Sequence, residues 1–272
     1  MKSSFSYLME SKHEAIRLDV KTDIEEVRKQ AAWCGVEPGL RVLDVGCGPG
    51  KVTSTLLEMV EPGGSVVGID FSPERINYAV DHYGGEKAIE FINHDLTKPL
   101  TGMGMFDIIW IRFVLEYYRK ESLDILRNVS KSLKPGGYLC LIDLDHNCLN
   151  HYELPPQMAA ILPKIMSHLD EVHNFDTFAG RKLYSYLYDL NFEDIEVEMM
   201  AHHLIYGKAG ETDIFNWFTK VQVTAEKMAM FLGEYPGGVE AFLSEFKEFF
   251  LDPRRFTYTP LIMCKGRRPV EA

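Results

Sequence analysis

The sequence predicts a doubly wound α/β fold, on three observations. Short apolar runs alternate with helical patterns up to about residue 145, as expected where strands and helices follow one another in a parallel sheet. The runs are rich in Val, Ile, Leu and Phe, the composition of strands that helices cover on both faces. A glycine-rich segment at 46–50 follows the first run and opens a helical pattern, as at the first strand-to-helix turn of such sheets.

Strands and helices can be placed along the first half of the chain. The predicted strands are Arg41–Val45, Ser65–Asp70, Ala88–Ile92, Phe106–Ile111 and Tyr138–Asp143. One helical pattern begins at Ser72, because a serine directly before Pro73 is typical of an N-cap. Another covers Glu121–Leu133 and stops at the Lys-Pro-Gly-Gly turn of 134–137.

The second half has longer helical patterns and two further strands. Helices are predicted at Leu154–Val172, with a break or bend at Pro163, and at Arg181–Leu190, Thr212–Leu232 and Val239–Phe250. Strands are predicted at Asp194–Tyr206 and Phe256–Cys264, the last returning to the sheet. We therefore expect one domain over 1–272, made of an N-terminal helical segment (1–35), a ligand-binding core (36–145) and helical insertions at 151–180 and 208–252.

Composition limits the class of protein and its partners. The 272 residues are 46% hydrophobic and 25% charged, as in an ordinary soluble globular protein. The net charge of −11 disfavours nucleic acids and anionic membranes as partners, because both repel an acidic surface. No apolar run reaches the roughly 20 residues that span a bilayer. The N-terminus does not resemble a signal peptide, so we expect a cytoplasmic protein without membrane contact.

The cysteine pattern argues against disulfides and metal. Five cysteines are scattered along the chain and form no Cys-x-x-Cys pair. We therefore expect reduced thiols and no metal site. His202 and His203 are adjacent in a predicted strand, which places one on each face and also argues against a shared metal.

The segment Val42–Gly50 predicts a ligand site at the end of the first strand. Glycines allow a tight turn and a close approach of the backbone to a ligand, and the following helix offers amide donors. The spacing is Gly-x-Gly-x-Gly, with Lys51 where a dinucleotide fingerprint has its third glycine. That spacing disfavours a nicotinamide-dependent oxidoreductase.

Two acidic residues follow the next two strands. Asp70 ends the second strand, where a carboxylate can accept hydrogen bonds from both ribose hydroxyls of an adenosine-type ligand. Asp95 follows the third strand, where the adenine amino group lies if the ribose lies at Asp70; the alternative is that it only caps a helix. The carboxyl ends of these strands share one edge of the sheet, so we expect a single crevice.

The sequence resembles the class I S-adenosylmethionine-dependent methyltransferases, in particular the small-molecule group that includes the ubiquinone and menaquinone biosynthesis enzymes. The resemblance covers about half the chain and lies in five motifs in the family's order: VLDVGCGPG at 42–50, VVGIDFS at 66–72, HDL at 94–96, FDIIWIRFVLEYY at 106–118 and LKPGGYLCLID at 133–143. It implies a seven-stranded, mostly parallel Rossmann-like sheet whose last strand is antiparallel. It also implies S-adenosylmethionine as cofactor and S-adenosylhomocysteine as product.

The resemblance assigns roles to matching positions. Gly46 and Gly48 would approach the methionine portion of the cofactor, Asp70 would hold the ribose and Phe71 would pack on adenine.

Four further residues complete the predicted cofactor site. Asp95 and Leu96 would contact the adenine edge. Arg112 would lie beside the methionine end, and Arg17, in a helix before the first motif, would pair with the methionine carboxylate.

No catalytic residue follows from the sequence. Methyl transfer from a sulfonium is a direct displacement, so correct alignment can supply about 7–11 kcal/mol without a catalytic side chain. His146 and His151 follow the fifth strand and are candidate bases, although loop histidines are usually only solvated.

The helical insertions carry the information on the acceptor. The apolar faces of Thr212–Leu232 and Val239–Phe250 either pack on the domain, roof a substrate pocket or form a homodimer contact. We hypothesise that Leu154–Val172 and 212–250 form a lid that favours a small, partly apolar acceptor.

Three other functions are also compatible with the sequence. A non-catalytic S-adenosylmethionine-binding protein would keep the same cofactor site. A methyltransferase acting on a macromolecule is a further alternative, although the negative charge disfavours RNA. Carbon chemistry on lipids, as in cyclopropane-forming relatives, would also use this cofactor site.

Overall fold

The computed structural model describes residues 14–270. The first part of the chain contains α1 (Glu14–Lys21), α2 (Ile24–Trp33), β1 (Arg41–Val45), α3 (Lys51–Val60), β2 (Ser65–Asp70), α4 (Pro73–Tyr83), β3 (Ile89–Asn93), β4 (Phe106–Arg112), α5 (Ser122–Val129) and β5 (Leu133–Leu144). The second part contains β6 (His151–Tyr152), α6 (Pro156–Val172), α7 (Leu183–Asp189), β7 (Glu193–Tyr206), α8 (Glu211–Lys227), α9 (Ala229–Leu232), α10 (Gly238–Leu251) and β8 (Phe256–Arg267). Residues 1–13 of the predicted N-terminal segment lie outside the described residues.

The strands form one mostly parallel sheet in the order β3-β2-β1-β4-β5-β8. β1 to β5 pair in parallel, whereas β8 is antiparallel to β5 on one side and to β7 on the other. The two-residue β6 pairs with the start of β8 and is additional to the seven expected strands. The doubly wound fold and the antiparallel last strand are therefore confirmed.

Helices cover both faces of the sheet. On one face, Val42, Ile108 and Trp110 pack with apolar residues of α2 and α3. On the other, Leu43 and Ile109 pack with apolar residues of α5 and α7. Successive side chains of a strand point to opposite faces, so strands buried on both faces have continuous apolar runs.

A third apolar cluster lies outside these two layers. It is built by α6, α8, α9 and α10 and includes stacked or tilted aromatic contacts among Trp217, Phe246 and Phe250. Tyr117 packs against both this cluster and the layer that contains α5. No helix within residues 14–270 is long and apolar enough to cross a membrane.

Two predicted helix boundaries were wrong, and one predicted break is absent. Pro163 was expected to break or bend its helix; it lies inside α6 without ending it, and the buried face of that helix continues on both sides of the proline. The helix predicted over 212–232 is two helices, because it is interrupted at Met228. The helix predicted up to Leu133 ends at Val129, since Leu133 pairs with Phe106 as the first residue of β5.

Candidate cofactor and acceptor sites

A crevice of about 820 Å3 opens at the carboxyl ends of β1, β2 and β4. The strand order reverses between β1 and β4, and ligands of open α/β sheets bind at such a point. Its lining comes from α1, the glycine loop, the end of β2 and the segment after β4: Leu18, Lys21, Thr22, Gly46, Cys47, Gly48, Pro49, Val52, Asp70, Phe71, Arg75, Leu96, Arg112, Phe113, Val114, Glu116, Tyr117 and Tyr118.

The glycine loop forms the floor of the crevice. The amides of Gly46 and Cys47 both donate to the carbonyl of Ile69, which ties the loop to β2 (2.7 and 3.0 Å). Gly50 is the N-cap residue of α3 and has φ 93°, and no side chain caps that helix. The first amides of α3 therefore remain available to a polar or anionic ligand group.

We expect Gly46→Ala to disrupt this loop. Gly46 has φ 75°, and an added Cβ would overlap with Cγ2 of Val114. The matched control is Gly35→Ala. Gly35 has φ 86° and open space where the new Cβ would lie, so this variant has the backbone strain without the steric overlap. Calorimetric titration should show at least about tenfold weaker ligand binding for Gly46→Ala only. Partial recovery in Gly46→Ala/Val114→Ala would confirm the steric cause, whereas equal binding by both single variants would contradict it.

Asp70 is buried at the end of β2 and is held in place by its surroundings. Its Oδ2 accepts from the Gly48 amide (3.0 Å), and its Oδ1 accepts from the Ser72 amide (2.9 Å) and from Arg75 Nε (3.1 Å). Arg75, in the first turn of α4, also forms an ion pair with it. The carboxylate is therefore fixed beside the glycine loop.

Two further cations, Lys21 and Arg112, line the crevice. The ammonium of Lys21 has no hydrogen-bond or ion-pair partner within the described chain and lies 5.6 Å from the Phe113 ring centroid. Burial, with a smaller effect from the charge of Arg17, lowers the pKa of Lys21 to about 7. Arg112 donates through Nε to Gln30 (2.8 Å), and burial lowers its pKa to about 10. These two cations are suited to a carboxylate.

The structure brings together most of the predicted cofactor-site residues. Those that line the crevice are Gly46, Gly48, Asp70, Phe71, Leu96 and Arg112. Arg17 and Asp95 are not in the lining. The Arg17 guanidinium is bound instead by Glu14 (2.7 and 2.8 Å) and by Asn216 (2.6 Å). Asp95 accepts from the amide and hydroxyl of Thr97 in a turn. No helix begins there, so the alternative role as a helix cap was wrong.

Three charged lining residues were not predicted from the sequence: Lys21, Glu116 and Arg75, the ion-pair partner of Asp70. Lys21 lies one helical turn after Arg17 and faces the crevice, which the spacing alone did not reveal. Glu116 is only 3% exposed, although it follows β4 within the motif at 106–118. Its amide donates to Asp143 Oδ2 (3.2 Å), and its carboxylate accepts from Asn147 (2.8 Å). The signal was an acidic residue inside an otherwise apolar motif.

A second cavity, of about 470 Å3, lies between α6, α8 and α10. Most of its lining is apolar. The lining residues are Cys148, His151, Leu162, Ile165, Met166, Trp217, Lys220, Val221, Thr224, Ala225, Phe242 and Phe246. Lys220 donates to Asn147 Oδ1 (3.2 Å), and the same asparagine donates to Glu116. A chain of hydrogen bonds therefore joins the linings of the two cavities.

The histidines proposed as bases have different surroundings. His151 lines the second cavity, where the Thr257 hydroxyl lies 2.9 Å from Nδ1 and the Cys148 carbonyl 3.2 Å from Nε2. Burial lowers the pKa of His151 to about 4, so its ring is neutral at neutral pH. His146 binds Asn150 and stacks on Phe178, away from both linings.

The expectation that His202 and His203 point to opposite faces was wrong. β7 has an irregular register after His202, and His203 has φ 51°. The two rings therefore lie 3.9 Å apart on one side. Burial lowers the pKa of both well below the usual value. Within residues 14–270, no group of three or more His, Cys, Asp or Glu side chains could hold a metal ion.

The glycine loop, the acidic end of β2 and the antiparallel β8 define the fold of the class I methyltransferases. Residues 42–137 match the family model described as "Methyltransferase domain". This match covers about a third of the chain and supports the resemblance to the class I S-adenosylmethionine-dependent methyltransferases that the sequence shows.

Two curated relatives and one solved structure show the range of similar proteins. A demethylmenaquinone methyltransferase of Lactococcus lactis is 34% identical over 117 residues, which are 42% of this chain and 46% of the relative. Phosphoethanolamine N-methyltransferase 3 of Arabidopsis thaliana is 29% identical over 64% of this chain and 33% of its own length. The chain thus spans about half or less of the curated relatives it matches.

The solved structure is a Haemonchus contortus phosphoethanolamine N-methyltransferase 2, whose complex holds phosphomonomethylethanolamine and S-adenosylhomocysteine. It superimposes with a TM-score of 0.60 at 15% identity, over 98% of this chain and 60% of the other. At that identity the likeness supports the fold alone.

Proposed function

We propose that this protein transfers a methyl group from S-adenosylmethionine to a small, partly apolar molecule by direct displacement. The observation that carries the proposal is that the glycine loop, Asp70 and the cations Lys21 and Arg112 line one crevice. A second, apolar cavity beside it offers room for an acceptor. The Asp70 carboxylate suits two ribose hydroxyls, and Lys21 and Arg112 suit the carboxylate of a methionine group.

The residues present fit this cofactor. Gly46 and Gly48 carry no side chain that would fill the floor, and Gly46 has no space for a Cβ beside Val114. Phe71 and Leu96 supply an apolar surface for an adenine ring, next to Asp70. The cofactor supplies an electrophilic methyl group on a sulfonium. The protein then has to align the acceptor, exclude water and accept a proton where the nucleophile carries one.

We assign the methionine carboxylate to Lys21 and Arg112, because Arg17 is already bound by Glu14. Because Lys21 titrates near neutral pH, we expect the affinity for the cofactor to depend on pH. A bound carboxylate raises the pKa of Lys21 above its value of about 7 in the free protein. Binding is therefore tightest below pH 7 and weakens as the pH rises above 7, by up to about tenfold per unit.

Titration of S-adenosylhomocysteine between pH 6 and 9 measures this dependence. Lys21→Met should bind more weakly at pH 6 and should lack the lysine-dependent part of the slope. The amino group of the ligand titrates equally in both experiments, so the ratio of the two affinities isolates Lys21. A constant ratio across the pH range would show that Lys21 does not contact the carboxylate.

We further propose that α6 and α8 to α10 act as a lid over the crevice, as parts of the same domain. α8 is linked to α1 by the Arg17–Asn216 hydrogen bond, and α1 lines the crevice. We propose a cytoplasmic location as well. Its support is that the five cysteines are all free and four of them are buried.

The test of the proposed function is calorimetric titration of the whole protein with S-adenosylmethionine, S-adenosylhomocysteine and NADH. We expect micromolar binding of both sulfur compounds and none of NADH. Transfer of a labelled methyl group to an acceptor then separates an enzyme from a protein that only binds the cofactor. Absence of binding to either sulfur compound, by protein with native circular dichroism, would refute the proposal.

A further inference from the structure

The second cavity has a polar corner on an otherwise apolar wall. Lys220 is the charged side chain in its lining. Its ammonium can donate three hydrogen bonds, and within the described residues it makes one, to Asn147 Oδ1. No carboxylate of residues 14–270 lies within ion-pair distance of it. A partly buried ammonium on an apolar wall has unused donors for an oxygen of a ligand.

The polar corner is next to the crevice. Asn147 is 2% exposed and donates to Glu116, which lines the crevice. An acceptor that fills the apolar cavity and contacts Lys220 therefore has its polar end one hydrogen-bonded residue away from the crevice. Tyr117, which lines the crevice and packs on the third apolar cluster, lies along the same boundary.

The charges around this boundary favour an oxygen acid over an amine. The positive groups are Lys21, Lys220 and Arg112, and the charge of Lys220 lowers the pKa of Lys21. Arg17 does not add to the surplus, because Glu14 neutralises it.

The acidic group at this boundary is Glu116, which is linked to Lys220 through Asn147. Burial, together with the nearby charge of Glu116, raises the pKa of Asp143 well above its usual range. A protonated amine would meet this cationic surplus and lose affinity, whereas a developing oxyanion would be stabilised by it.

We propose that the second cavity binds the apolar body of the methyl acceptor, and that the acceptor is a ring-sized molecule whose weakly acidic hydroxyl extends past Asn147 into the crevice. There the hydroxyl lies between Lys220, which holds it, and Glu116, which deprotonates it. This inference rests on the proposed function and names the nucleophile for it. The acceptor oxygen bonds to the methyl group as the methyl–sulfur bond breaks, and that electron pair stays on sulfur. The hydroxyl proton moves to the Glu116 carboxylate. Lys220 keeps its charge and stabilises the oxygen during the transfer.

Three probes of one shape test the proposal: 2-naphthol, 2-(aminomethyl)naphthalene, which is a cation at neutral pH, and naphthalene. Binding is measured by calorimetry on the full chain loaded with S-adenosylhomocysteine, and methyl transfer by mass spectrometry with S-adenosylmethionine. We expect 2-naphthol to bind at least about tenfold more tightly than either other probe, and to be the probe that is methylated.

Two isosteric variants separate the two roles. At pH 6, where Lys21 is charged in both proteins, Lys220→Met should weaken 2-naphthol binding at least about tenfold and leave S-adenosylhomocysteine affinity within about twofold. Glu116→Gln keeps an acceptor for Asn147 and should retain 2-naphthol binding. It should slow methyl transfer about 10²-fold or more. Lys227→Met, an exposed lysine on the same helix, is the matched control and should change neither quantity.

The outcomes distinguish this inference from the proposed function. If the cofactor binds but 2-naphthol does not, or if the aminomethyl probe binds as tightly, the inference is wrong and the proposed function stands. Unchanged 2-naphthol affinity in Lys220→Met also overturns it. If neither sulfur compound binds, the proposed function fails first.

Discussion

Asp70→Asn should bind S-adenosylmethionine about 100-fold more weakly than the native protein. In the proposed function this carboxylate accepts from two ribose hydroxyls, and each hydrogen bond to a charged group contributes about 1.5–3 kcal/mol. Asparagine keeps the shape and one acceptor oxygen but loses the charge. Calorimetric titration gives the affinity, and urea unfolding gives the stability of the same preparation.

A structural role of Asp70 must be separated from ligand contact, because the residue forms a buried ion pair with Arg75. Arg75→Gln breaks the same pair and leaves the carboxylate, still held by the amides of Gly48 and Ser72. Both variants should lose roughly 3 kcal/mol of unfolding free energy. Cofactor affinity should fall in Asp70→Asn alone, and an equal fall in both would mean that Asp70 acts only through the fold.

Trp217→Ala should lower the free energy of unfolding by about 3–5 kcal/mol. The side chain is 1% exposed at the centre of the third apolar cluster. Its ring packs near those of His151, His203 and Phe250, with centroid distances of 5.3, 5.8 and 5.7 Å. Removing it leaves a large cavity that the helices cannot fill without moving. Chemical unfolding followed by circular dichroism measures the loss.

The matched control is Phe215→Ala on the same helix. Phe215 is 42% exposed, so its removal should change the stability by no more than about 0.5 kcal/mol. A loss below 1 kcal/mol for Trp217→Ala would contradict the packing of α8 against α6 and α10. The same variant should also weaken binding in the second cavity, since Trp217 lines it.

The sequence alone predicted the sheet closely where strands are buried on both faces. β1 and β2 have the predicted bounds, because a continuous apolar run ended by Gly or Asp has one stable placement. The sequence also predicts one crevice at the glycine loop and Asp70, and both line a single crevice in the structure, since their positions depend on local backbone geometry and strand ends. Local rules therefore determined the part of the site built from consecutive residues.

Only the tertiary structure decided the rest. Arg17 and Lys21 lie on one helix, and the contact of Arg17 with Asn216, about 200 residues away, decides which of them faces the crevice. The link from Glu116 through Asn147 to Lys220 joins three distant segments. The bulge that brings His202 and His203 together arises where β7 pairs with β8. Such contacts depend on how separate elements pack, and no periodicity within one element contains that information.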